Sequence, residues 1–417
     1  MALSWVHRGW GIGVLWLGTH LVAAVVFLLR FGTNPDRWNG VLVGDLATTF
    51  SGMGQLARLP FDRVLPELAA PAVRLLQGLY AVTGGERATF MLGVVGLAIL
   101  ADLVVVVALW RSPAAGPVAA AYWALAVPLL GPVAYARLDI VVVAVVALAW
   151  VLAPRRPLVA GVLLAVATGL GIWPLVVLLP LLAIVGRGGW RRTVSGYAVT
   201  GVVLVGISVV TGGGGRMVSP VTRALAKGLG LESVPGLPIL VDIAVNPGRH
   251  AASLVAGEMQ VRGPWTEALL LGSQALVVVP VLVVAGLGIV VLRRRTGADR
   301  VVAAALCAAA GLLSLLATAH SLRPEALLWA VPFLAVVAAR RPGIGPWWAV
   351  LVLLLTQIEY PYLFVNLAFA TAPSFDPVAA VIVLRNVGLV AVLVWSLLAA
   401  VRAVRELRPN AGVAPGQ

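Results

Sequence analysis

"PLVAGVLLAVATGLGIWPLVVLLPLLAIV", residues 157–185, decides how many times this chain crosses a membrane. Arginines bracket it, in "PRRP" at 154–157 and "GRGGWRR" at 186–192. Basic residues mark the cytoplasmic end of a membrane helix, so both ends of this apolar run belong on one side. In its middle, "ATGLGIWP" brings glycine and proline together, which permits a break where the helix hydrogen bonds lapse. The run is therefore read as two short helices that meet near the outer face.

Working outward, apolar runs recur at 10–30, 88–110, 117–135, 138–153, 194–211, 267–292, 300–319, 324–339, 346–366 and 378–402. A helix needs about 20 residues to cross about 30 Å of hydrocarbon. Counting 157–185 twice makes twelve crossings, an even number that leaves both termini cytoplasmic. The other basic groups, at His7 and Arg8, Arg111, "LRRR" (292–295), "ARRP" (339–342) and Arg402 to Arg408, then share one side. Alternating period-two strands are absent, so the expected fold is an all-α polytopic membrane protein and not a barrel. Sixty-one per cent hydrophobic and 11% charged residues exclude a soluble globular domain. The net charge of +14 gathers at the ends of the runs, which makes it a topology signal, and no nucleic-acid partner is expected. The first run follows His7 and Arg8 without a cleavage site and reads as a retained anchor. Residues 1–408 are expected to form one unit in the plasma (inner) membrane, with a disordered tail at 409–417. Cys307, the single cysteine, sits in an apolar run and reads as a buried small residue.

This topology places two long loops outside, 31–87 and 212–266, with short ones near 136–139, 170–174, 320–324 and 366–377. Any chemistry then faces outward. In "GDLATTFSGMGQLARLPFDRVLPEL" (44–68), Phe50 and Leu56 follow Asp45 at helical spacings, pointing to an interfacial helix. Asp45 is there either a helix cap or a general base. Arg137 and Asp139 sit at the mouth of a helix as an ion pair or cap. His320, Arg323 and Glu325 surround Pro324, which suits a first helical turn, and His320 is either a proton carrier or a polar loop residue. "TGGGG" (211–215) reads as a flexible lead into the second loop, where "ALAKGLGLESVPG" (224–236) holds Lys227, the only lysine, and Glu232. Inside the runs, His20 and Asp102 are costly unless paired, and the sequence names no partner for either. The chain has no Walker loop, dinucleotide fingerprint, HExxH, CxxC or DxD, so neither a nucleotide cofactor nor a metal is expected.

Five stretches, "RLPFDRVLPEL" (58–68), "YARLDIVVVAVVALA" (135–149), "AGVLLAVATGLGIWPLVVLLPLL" (160–182), "KGLGLESVPG" (227–236) and "SLRPEALLWAVPFL" (321–334), occur in the order of similar motifs in one family. Together they resemble the integral-membrane polyprenyl-phosphate-dependent enzymes of glycosyltransferase family 87, with the glycosyltransferase-C fold. Asp62 and Arg63 stand in the reverse of that family's order, Leu68, Ala69 and Ala70 replace its Tyr-Pro-Pro, and Gly171 stands where it carries lysine.

The resemblance implies an inverting transfer of a sugar, with mannose the first expectation, from a polyprenyl monophosphate to a glycolipid or glycan hydroxyl outside the cytoplasm. Asp45 maps to the catalytic base. Lys227, Glu232, Arg137, Asp139, His320 and Arg323 map to the donor phosphate and sugar, and Asp62, Arg63 and Glu67 to acceptor binding or structure. On this reading Lys227 attracts the phosphate, Glu232 orients Lys227 or holds a sugar hydroxyl, and Gly228 and Gly230 let backbone approach the ligand. Arginine and lysine can stabilise the leaving phosphate without a metal. The expected partners are membrane lipids, donor and acceptor. Two rival readings are a lipid-carrier transporter or flippase, which would string charges through midplane helices, and an inactive binding subunit lacking the lysine at 171.

Overall fold

The computed structural model of the protein describes residues 9–33, 44–186, 188–246, 248–255, 258–293, 298–363 and 376–407. In chain order its regular elements are α1 (Gly9–Thr33), α2 (Gly44–Gln55), α3 (Ala70–Val82), α4 (Arg87–Arg111), α5 (Gly116–Ala126), α6 (Asp139–Leu152), α7 (Pro157–Leu170) and α8 (Leu178–Val185). They continue with α9 (Trp190–Val210), α10 (Ser219–Leu225), α11 (Leu237–Val245), β1 (Ala251–Val255), β2 (Glu258–Arg262), α12 (Thr266–Leu276), α13 (Val278–Arg293), α14 (Ala298–Thr318), α15 (Val331–Arg340), α16 (Gly345–Gln357) and α17 (Asp376–Glu406). The tail 409–417 lies outside the described residues.

Among the described residues, six helical segments are long and apolar enough to cross a membrane: those of α1, α4, α9, α12 with α13, α14 and α17. A seventh is α5 with the 3-10 turn Pro128–Tyr135, bent by 71°. The chain is thus a polytopic helical membrane protein, but the expected twelve crossings are not matched by twelve spanning helices. Proline accounts for part of the difference. Pro128, Pro174 and Pro324 each open a 3-10 turn that divides or shortens an apolar run, because a proline nitrogen cannot continue the helical ladder.

The run 157–185 breaks as its sequence predicts. Helix α7 stops at Leu170, Gly171 is extended at φ −160° and ψ 136°, and the 3-10 turn Trp173–Val177 leads into α8. Helices α7 and α9 touch backbone to backbone. A Cβ on Gly161 would lie 2.0 Å from the Thr193 carbonyl oxygen, and one on Gly196 would lie 2.4 Å from that of Leu158. Small residues permit this approach between membrane helices. Helix α14 is apolar all round and correspondingly buried, with Ala303 to Ala310, Cys307 among them, fully enclosed.

The first long loop is a small core of its own. Helix α2 forms where the spacing of Phe50 predicts a helix, and Phe50 packs on Tyr80 of α3 and Phe90 of α4 at centroid distances of 5.5 and 5.7 Å. The second long loop corrects the all-α expectation, because β1 and β2 pair there as an antiparallel hairpin. Met259 and Val261 are buried while Glu258 and Gln260 take the other face, the two-residue period of a strand. Residues 229–231 run along β2, with Leu231 N–H donating to Met259 O (2.8 Å) and Val261 N–H to Leu229 O (3.0 Å). That pairing brings Lys227 beside Glu258.

His20 and Asp102 prove to be each other's partners. His20 Nε2 lies 2.6 Å from Asp102 Oδ2 and 2.6 Å from the Tyr135 hydroxyl, and the indoles of Trp16 and Trp123 donate to the same carboxylate at 2.7 and 2.6 Å. A buried carboxylate with several donors meets the demand that intramembrane charge be paired, so neither residue is left to form a site of its own.

Candidate active site

Segments far apart in sequence border one cavity of about 1170 Å³, among them 136–139, 168–173, 226–228, Arg323 and Trp329. Two of its walls come from the broken run and from the 3-10 turn Pro324–Trp329. Trp173 and Trp329 stack with centroids 5.0 Å apart and planes 10° from parallel. The Trp329 indole donates to Asp139 Oδ1 at 2.8 Å, at the first turn of α6. Arg137 pairs with Glu325 at 2.6 Å, which interlocks the two loops.

Lys227 and Arg323 both line this cavity and share one anchor, which is Glu258 and not Glu232. The Lys227 ammonium and Arg323 Nε (3.0 Å) bond the same oxygen, Glu258 Oε1, while the Ser321 hydroxyl donates to Oε2 at 2.5 Å. Burial alone would raise the Glu258 carboxyl. Lys227, Arg323 and the hydrogen bonds outweigh that and hold it at about 2. Lys227 is pushed the other way, below the ordinary lysine value, by burial and then by Arg323, against the pull of Glu258.

Glu232 is buried instead against α17. Its backbone carbonyl accepts from Arg385 and, at 3.0 Å, from Asn386, both on α17. Burial, then the neighbouring Glu359, pushes its carboxyl well above the usual range. Lys227 is held by Glu258, and Glu232 is not among the residues that line the cavity. His320 also misses the cavity lining. Its Nε2 lies 2.9 Å from the Ala224 carbonyl, and its own carbonyl accepts from Gly230 N–H at 2.7 Å, which ties the lysine loop down. The glycines serve that closeness too: a Cβ on Gly228 would lie 2.7 Å from Gln260 Oε1 and one on Gly230 3.2 Å from His320 O.

Of the acidic and basic residues of "FDRVLPEL", Glu67 lines the cavity, while Asp62 and Arg63 are exposed and are not part of the lining. The turn itself hangs on Arg216, a residue with no role in the sequence reading. Arg216 is buried, and its guanidinium donates to the carbonyls of Phe61 (2.8 Å), Leu65 (2.8 Å), Leu68 (3.0 Å) and Val64. Of the preceding glycines Gly213 is a packing position, since a Cβ there would meet Phe61 at 2.9 Å, whereas one on Gly212 would meet nothing within 4 Å. The Asp45 side chain lies outside the described residues. Its backbone is in the first turn of α2, whose Leu46, Thr48 and Thr49 line the cavity.

Between polar residues such as Thr168, Tyr197, Ser208 and Gln260, much of the remaining wall is apolar. Leu76, Val142, Ala165, Leu204 and Val205 line it, and the far side of α9 exposes Val199, Val202 and Val203, so one helix separates cavity from lipid on that flank.

Fold and cavity together define a polytopic membrane protein with a cation-lined pocket between its loops. The sequence model of glycosyltransferase family 87 matches residues 83–319, more than half of the chain, and the chain belongs to that family. It is therefore a glycosyltransferase by family. No curated protein and no solved structure matches it.

Proposed function

We propose that the protein transfers a hexose, mannose in the first instance, from a polyprenyl monophosphate to a glycolipid or glycan hydroxyl on the extracytoplasmic face of the plasma membrane. The observation that carries this reading is one cavity with Arg137, Arg223, Lys227 and Arg323 on its lining and an apolar wall a single helix from lipid. A lipid phosphate is a ligand with both properties. At about 1170 Å³ the cavity also exceeds the roughly 300–1,000 Å³ of most small-molecule pockets, leaving room for a donor sugar and an acceptor end.

In this scheme Asp45 takes the proton of the acceptor hydroxyl as its oxygen attacks the anomeric carbon opposite the phosphate. The anomeric carbon–oxygen bond breaks with its electron pair moving to the phosphate. The donor diester carries one negative charge and the departing monoester gains a second. Lys227, Arg323 and Arg137 therefore bind the leaving group more tightly than the donor, which is where electrostatic catalysis comes from. Asp139 and Glu67, on the same lining, would accept hydrogen bonds from sugar hydroxyls.

The test is transfer of radiolabelled mannose from polyprenyl phosphomannose to total membrane glycolipid by the purified protein in phospholipid nanodiscs. Labelled glycolipid is the expected product. Donor binding with no transfer to any glycolipid fraction would instead identify a binding subunit.

A further inference from the structure

Glu258 is on neither the cavity lining nor the catalytic path, yet it touches three side chains from two separate loops. Two of those side chains are cations on one oxygen, an arrangement that like charges do not adopt without a shared counter-ion. Glu258 is held by a chain of constraints that begins with the hairpin. Strand β2 fixes its backbone, the pairing of 229–231 with β2 fixes the lysine loop, and Ser321 fixes the second carboxylate oxygen. We infer that Glu258 is a positioning residue that holds Lys227 and Arg323 together as a single two-cation unit for the donor phosphate. This inference rests on the phosphate reading of the cavity.

Two effects of removing the Glu258 charge oppose each other, and their opposition makes the idea testable. A carboxylate near a phosphate site repels the ligand, so a glutamate that acted only as a counter-charge would weaken binding, and its loss would tighten it. Glutamate that positions does the reverse. Without it the two cations repel, and two long side chains regain their rotamers, so the phosphate must gather them itself. Lys227 would in addition lose the neighbour that favours its charged form, while Arg323 and Arg137 continue to disfavour it.

The experiment measures binding of farnesyl phosphate to the full-length protein in detergent, for the unaltered chain and for Glu258→Gln, Glu258→Asp, Ser321→Ala and Lys227→Ala, with a thermal melt of each to show that it is folded. The expected result is roughly tenfold weaker binding in Glu258→Gln, partial recovery in Glu258→Asp, a smaller loss in Ser321→Ala, and a loss in Lys227→Ala at least as large as in Glu258→Gln. Should Glu258→Gln not fold, the sign of the Ser321→Ala change decides. Unchanged or tighter binding in Glu258→Gln alongside weakened Lys227→Ala overturns the positioning role and leaves the phosphate reading intact. If the unaltered protein does not bind farnesyl phosphate, or Lys227→Ala binds as well as it does, the phosphate reading falls and the positioning role with it.

Discussion

At the scale of single residues, Lys227 matters because its charge is conditional. Burial and Arg323 lower its proton affinity and Glu258 partly restores it, so Lys227 loses its proton at a lower pH than an ordinary lysine. A phosphate needs the charged form, and kcat/KM for the donor reports the free enzyme. We therefore expect kcat/KM to fall as pH rises through the lowered lysine value, and Lys227→Arg, which stays charged, to carry activity to higher pH. A profile that Lys227→Arg leaves unmoved would remove the lysine from donor binding. Asp45 is the second residue with a sharp forecast. Asparagine caps a helix as well as aspartate but accepts no proton, so Asp45→Asn should lower turnover by roughly 10² to 10⁴ with donor binding intact. Near-normal turnover would pass the role of base to Glu67 or Asp139, which line the cavity, and not to Asp62, which does not.

At the scale of elements, the helices were legible and the contacts between loops were not. "ATGLGIWP" marks its own break, because glycine and proline act on the backbone within a few residues of themselves. Glu258 was illegible for the opposite reason. Its strand has only five residues, too few to make alternation stand out from an irregular loop, and its partners are 31 and 65 residues away. Lys227 and Glu232 look paired by proximity in sequence, but Glu232 turns towards α17 and Lys227 towards β2. Glycines show the same division. Gly161 and Gly196 read as ordinary small residues of membrane helices, yet they set how closely α7 and α9, two walls of the cavity, can approach. Gly161→Val should part the two helices at a cost of about 1–3 kcal/mol, the usual penalty for overpacking, visible as a lowered melting temperature in detergent. Gly201, also on α9, has nothing within 4 Å of a Cβ and lines the cavity. Gly201→Ala should therefore leave the melt unchanged, and a large drop there would mean that the α7–α9 spacing is not what these glycines control.

At the scale of the whole molecule, contacts tie several of the arginine-bearing segments to one another. On one side, Arg340 donates to the Ala114 carbonyl at 2.6 Å, Arg341 pairs with Glu406, and Gly189 packs on Pro157. These are the segments that carry the arginines. The segments assigned to the opposite side, near 137, 171, 227 and 323, share the cavity. Residues 171–173 border the same cavity as Lys227, so we expect them to be reached from the same side as that lysine, although their run begins and ends among arginines. A cysteine at 171 tests this in a Cys307→Ala background. The position is extended, and a Cβ there would make only ordinary contacts, 3.6 Å to Trp173 and 3.9 Å to Val142, so the side chain fits. Cys307 is fully buried in α14 and its removal leaves one thiol in the protein. We expect Gly171→Cys to react in intact cells with a membrane-impermeant maleimide, and a cysteine at Gly188, where a Cβ would meet nothing within 4 Å, to react only after permeabilisation. Polyprenyl phosphate should slow the first reaction and not the second, because only the first lies in the cavity. Labelling at 171 only after permeabilisation would turn the active face inward and reverse every loop assignment with it. Labelling from outside at both positions would mean that the run 157–185 does not return to the side it left.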